Sequence, residues 1–86
     1  MERISGPHRG FYVAAFASET GEPGESFLGH AKICRRRPEN YWDANCLVKL
    51  CGERLHADAK PAIDEVLALA MSQLRTLAPQ PETATA

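Results

Sequence analysis

One stretch of the chain, near its C-terminal end, repeats apolar residues at helical spacing: Ile63, Val66, Leu67, Ala70, Leu74 and Leu77. Such a stripe makes one amphipathic helix with one face to bury. Asp64, Glu65, Ser72, Gln73 and Arg75 lie largely off it. Asp58 suits the N-cap, where its carboxylate can accept from exposed backbone N–H groups. Pro61 then falls in the first turn, where its missing N–H costs little. Pro79 disfavours helix in the residue before it. The spacing predicts a helix from about Asp58 to Leu77, with Leu67 central and nearly fully buried. One helix covers one face of a sheet, so the preceding residues must supply that face and leave another open.

Three segments read as strands. Gly10 to Ser18 is dense in aromatic and β-branched residues. Glu19 to Ser26, with two glycines and a proline, is a turn. Phe27 to Arg36 alternates, with Phe27, Gly29, Ala31 and Ile33 on one face and Leu28, His30, Lys32 and Cys34 on the other. Arg35 to Asp43 is a connection ending in Tyr41 and Trp42. Ala44 to Cys51 is the third strand, with Ala44, Cys46, Val48 and Leu50 assigned to the core. In the first strand either Phe11, Val13, Ala15 and Ala17 point inward, or Tyr12, Ala14 and Phe16 do. The first set gives four inward apolar positions and is preferred. The expected fold is α+β: a three-stranded antiparallel sheet (β-β-β-α) with one C-terminal helix packed on one face. Residues 1–9 are expected to be a flexible arm, 10–78 the domain, and 79–86 a disordered tail low in apolar content.

A chain of 86 residues holds one small domain with a thin core. Net charge is −1, so no global field favours nucleic acid or an anionic membrane. Basic residues gather between 27 and 56, where Lys32, Arg35, Arg36, Arg37, Lys49 and Arg54 face Glu39, Asp43 and Glu53. Three cysteines, Cys34, Cys46 and Cys51, argue against a disulfide framework. The N-terminus has no apolar targeting region, and no run approaches a membrane span. A cytoplasmic protein with reduced thiols is expected.

The residues that could carry chemistry are few. His30, Cys34, Cys51 and His56 lack the close ligand pair of a zinc site, and Cys46 and Cys51 differ by an odd number, which puts them on opposite faces. No metal or cofactor is expected. His30 is too far along the strand from Cys34 to activate it, at ~13 Å between Cα atoms. No Ser/His/Asp set or carboxylate pair is evident, so an enzyme is not expected. The open face would carry Tyr12, Phe16, Leu28, His30, Lys32, Leu47 and Lys49, with Arg35, Arg36 and Arg37 at its rim. An apolar face of this kind suits self-association or a protein partner, with Phe16 and Leu47 the most sensitive positions. Exposed aromatics beside basic groups suit nucleic acid as the alternative.

The strand-strand-strand-helix order resembles three groups. Ala59-Lys60 followed by Ala62 is similar to the end of the Lys-Lys-x-Ala-Lys motif that opens the last helix of double-stranded RNA-binding domains. His56 and Ala57 stand where its leading lysines would be, and Ile4 to Arg9 is too short for that family's first helix, so its RNA contacts do not carry over. Ala59 to Leu74 resembles the helix of HicB-like antitoxin domains, with Leu50-Cys51-Gly52 in place of their Pro-Gly-Cys segment. Over residues 10–77 the pattern resembles small uncharacterised bacterial β-β-β-α proteins, which implies a fold and no activity.

Overall fold

The computed structural model describes residues 1–22, 24–43 and 45–79. Four strands, not three, precede the helix: β1 (Glu2–His8), β2 (Phe11–Thr20), β3 (Ser26–Cys34), β4 (Cys46–Cys51), then α1 (Ala59–Leu74). The strands form one antiparallel sheet in the order β1-β2-β3-β4, so each pairs with its sequence neighbour. The α+β class and the single helix are as expected; the strand count is not.

The extra strand replaces the expected flexible arm. Arg9 and Gly10, with φ of 53° and 86°, form the two-residue turn between His8 and Phe11. Positive φ at both central residues matches the right-handed twist of a hairpin. Gly6 and Pro7 lie where the β1–β2 register shifts, between Ser5 and His8. A proline is tolerated at such an edge-strand bulge because no neighbour needs its N–H. Gly6 has φ 131°, and a Cβ there would lie 2.8 Å from the Phe11 carbonyl oxygen. Gly6 and Pro7 therefore shape the bulge.

The helix packs on Phe11, Val13, Ala15 and Ala17 of β2 and on Ala31 and Ile33 of β3, all buried. This is the preferred orientation of β2. Val48 and Leu50 of β4 are only partly buried. Cys46, expected in the core, is exposed. Ile33 pairs with Val48 but Cys34 pairs with Cys46, so β4 carries one extra residue, Leu47, at a bulge. That residue resets the alternation, and Cys46 leaves the face of Val48. Ala44 lies outside the described residues.

Helix α1 is shorter than predicted and rotated. Ala62, Ile63, Val66, Ala70 and Leu74 are fully buried, while Leu67 is only partly buried at the flank. Gly29 of β3 explains the difference. A Cβ at Gly29 would run into the Ala62 carbonyl oxygen and approach Val66 Cβ to 2.9 Å. Only glycine lets the helix backbone come this close, and the approach centres the stripe on Ala62 and Val66. Asp58 is the N-cap residue, but its side chain makes no capping hydrogen bond. After Leu74 the chain tightens: the N–H groups of Arg75, Thr76 and Leu77 donate to the carbonyls of Ser72, Gln73 and Leu74. Residues 80–86, most of the predicted tail, lie outside the described residues.

The segment before the helix is tied to both layers. His56 exchanges two backbone hydrogen bonds with Phe27, at 2.7 and 2.9 Å. Its Nε2 lies 2.9 Å from Glu65 Oε1 on the helix, and the Glu53 N–H donates to Glu65 Oε2. His56 is therefore held between β3 and the helix.

Candidate functional site

The second face of the sheet is not bare. Ala14 and Cys34 are buried there, at 0% and 1% exposure. The β3–β4 connection folds back onto this face and lays Tyr41 on Phe16, with ring centroids 5.4 Å apart and ring planes inclined by 27°. Trp42 stands edge-on to both, 5.0 Å from Phe16 and 5.0 Å from Tyr41. The three rings differ in exposure. Tyr41 is buried, Phe16 half-buried, and Trp42 is 70% exposed.

Two charged side chains hold the connection in place by the backbone of one residue. The Tyr41 N–H donates to Glu2 Oε1 at 3.0 Å, from β1. The Tyr41 carbonyl accepts from Lys32 Nζ at 2.9 Å, from β3. The Lys32 ammonium also sits 4.3 Å from the Tyr41 ring centroid. A cation over an aromatic face is attracted by the ring quadrupole, more so when water is excluded. Charge-assisted bonds of this kind are the stronger hydrogen bonds of a protein. Burial pushes the Tyr41 hydroxyl above its usual range, with Cys46 and Cys51 adding to the effect.

This arrangement sorts the residues picked from the sequence. Lys32 is buried and engaged, so it is a support and offers no charge to a ligand. Phe16 is likewise the platform under Tyr41 and Trp42. Arg35, Arg36, Arg37 and Leu47 are exposed, and with Pro38, Asp43, Asn45 and Cys46 they line a groove of about 450 Å³. Lys49 is exposed on β4 outside that groove, and half-buried Tyr12 lies beside Gly6. Tyr41, Trp42 and Glu2 were not among the predicted site residues. The available signal was an aromatic pair inside an arginine- and proline-rich connection, since connections carried on a rigid sheet are common sites of function.

The histidines and cysteines have other partners. His30 Nε2 lies 2.8 Å from Ser18 Oγ, and its ring is 6.4 Å from Phe16. Cys51 pairs with His30 and Cys46 with Cys34, so the β4 bulge brings Cys46 and Cys51 opposite residues of one β3 face. The odd spacing had placed them on opposite faces. Among the described residues, no three His, Cys, Asp or Glu side chains converge as a metal site would need. None of the described helices is long and apolar enough to cross a membrane. No protein-family model, curated protein or solved structure matches this chain.

Proposed function

We propose that this chain is a non-enzymatic interaction domain that docks a protein partner on its loop-covered face, with Trp42 as the anchor. The observation that carries this reading is a tryptophan 70% exposed yet fixed edge-on against two other rings. Trp, Tyr and Arg dominate the binding energy of protein interfaces. A ring already held in place loses little further freedom on binding. Arg35, Arg36 and Arg37, carried on the same β3–β4 connection as Trp42, line a groove that favours a partner segment with acidic side chains, and Leu47 and Pro38 offer it apolar contact.

Trp42 is the sole tryptophan, so its emission reports on this surface alone. Titration with a peptide of alternating glutamate and leucine should give a saturable blue shift, weakened by Arg36→Ala and by Leu47→Ser. An indole that ignores the peptide at every concentration, in a protein whose sedimentation shows no self-association, would remove the proposal. A mass that rises with protein concentration would make the partner a second copy.

Nucleic acid is the second reading, favoured by one observation: exposed arginines and an exposed indole are carried on one connection. Bases stack on indoles and arginines neutralise phosphates. Against it stand the net charge of −1 and the loss of Lys32 to Tyr41. Quenching of Trp42 by a single-stranded oligonucleotide, weakening steeply with salt, would transfer the assignment to this reading.

A further inference from the structure

The β4 bulge creates a pairing that neither cysteine spacing nor strand parity suggests. Cys34, the last residue of β3, stands directly opposite Cys46, the first residue of β4. Opposed residues of an antiparallel pair lie ~4.5–5.5 Å apart between Cα atoms. A disulfide needs ~4.4–6.8 Å. Both cysteines are free thiols. Between them runs the whole β3–β4 connection, with the three arginines, Tyr41 and Trp42. We propose that Cys34 and Cys46 are an oxidative modification site, forming a reversible disulfide that closes the base of this connection.

The two thiols have different roles. Cys46 is exposed and meets an oxidant first; Cys34 is buried and can only answer a sulfur beside it. Burial, and then the nearness of Cys46, raise the Cys34 thiol above its ordinary range, which leaves it a poor first attacker. With a hydroperoxide as oxidant, the Cys46 thiolate attacks the distal oxygen and the O–O bond breaks. Cys46 becomes a sulfenic acid, and water (or the alcohol) leaves. The Cys34 thiolate then attacks the Cys46 sulfur. The S–S bond forms, the S–O bond breaks, and hydroxide takes up the Cys34 proton as water. Two thiols lose two electrons and two protons, and the peroxide takes both. Cys34 gives up only a weak S–H contact to the Lys32 carbonyl, 3.7 Å long.

Cys51 is not part of the pair. It opposes His30, five residues along β4 from Cys46, a separation of ~16 Å in an extended strand. The proposal does not depend on what binds at Trp42.

Trypsin places each cysteine on its own peptide: residues 33–35, 37–49 and 50–54. The full chain is oxidised with hydrogen peroxide, its remaining thiols are alkylated, and the non-reduced digest is read by mass. The expected product is monomeric, lighter by two hydrogens, and joins 33–35 to 37–49 with Cys51 alkylated. Dithiothreitol should reverse it. Cys51→Ser should keep the link and Cys46→Ser, an exposed substitution, should abolish it. The oxidised protein should melt at a higher temperature than the reduced one, since closing the loop restricts the unfolded chain. A link through Cys51, a predominance of dimers, over-oxidation of Cys46 with Cys34 still a thiol, or a lowered melting temperature would each overturn the proposal.

Discussion

The two faces of this sheet are covered by different means. The helix-covered face is aliphatic and small-residued: Val13, Ala15, Ala31 and Ile33 meet Ala62, Ile63, Val66 and Ala70, all at 0% exposure. The loop-covered face is aromatic and charged, and its outermost ring stays 70% exposed. On the first face contact is shape against shape, with Gly29 removing the last obstacle to close approach. On the second a single residue, Tyr41, is gripped through both its backbone N–H and its carbonyl, by Glu2 and Lys32. Dry aliphatic packing supplies most of a small domain's stability. A polar clasp positions a loop while leaving its outer surface free for other contacts.

Substitutions on the helix-covered face should break that division most visibly if it is wrong. Ile63→Ala should cost about 2–5 kcal/mol, as large-to-small changes in a core do. Phe16→Ala, on a half-buried ring, should cost clearly less by urea denaturation. Equal costs would make the loop-covered face a second core. Gly29→Ala comes next, at about 1–3 kcal/mol, because its methyl group must push the helix off the sheet. A neutral Gly29→Ala would show that the helix has room to shift.

The clasp should give an intermediate effect. Lys32→Met keeps a long apolar stem but leaves the Tyr41 carbonyl without its donor. A hydrogen bond to a charged group contributes about 1.5–3 kcal/mol, and part of that is recovered if the released carbonyl reaches water. Trp42 emission should shift to the red as the connection lifts from Phe16. Trp42→Ala should change stability by no more than about 0.5 kcal/mol, typical of exposed positions, while abolishing capture of the acidic peptide. A large stability loss would turn Trp42 into a packing residue and weaken its claim as an anchor.

The sequence was readable where a pattern repeats. The helix stripe and the alternation of β3 survived, and so did the inward set Phe11, Val13, Ala15 and Ala17. It was misleading where one residue changes the phase. Leu47 at the β4 bulge put Cys46 opposite Cys34, although parity assigned Cys46 to the core. Gly29 moved the centre of the helix stripe from Leu67 to Val66, an effect of approach distance that no spacing rule contains. Arg9 and Gly10 form a hairpin turn without the Asn-Gly or Asp-Gly pair that usually announces one, so β1 was missed. The candidate site was half legible. Arg35, Arg36, Arg37 and Leu47 do meet in one groove. Lys32 was misjudged because its burial depends on where Tyr41 lands, thirty-nine residues from Glu2 and nine from Lys32.

The faintest expected effect compares how the two faces respond to acid. The helix-covered face is bordered by Glu65, whose carboxylate accepts from His56 and from the Glu53 N–H. The His56 contact first, and the Glu53 bond after it, hold the Glu65 carboxyl below its ordinary range against the opposing effect of burial. A depressed folded pKa stabilises the fold fully above the unfolded value of ~4.3. That contribution is lost as pH falls through the lower, folded value. Glu65→Gln should therefore flatten the acid limb of the stability curve below the ordinary carboxylate range. Above it the variant should be uniformly less stable than the parent chain. Trp42 emission, on the far side of the sheet, should not move with this step. An acid limb unchanged by Glu65→Gln would place the sensitivity at Asp64, whose carboxyl is also lowered, first by Lys60. A simultaneous red shift of Trp42 would mean that the two faces loosen together and that the loop-covered face depends on the helix after all.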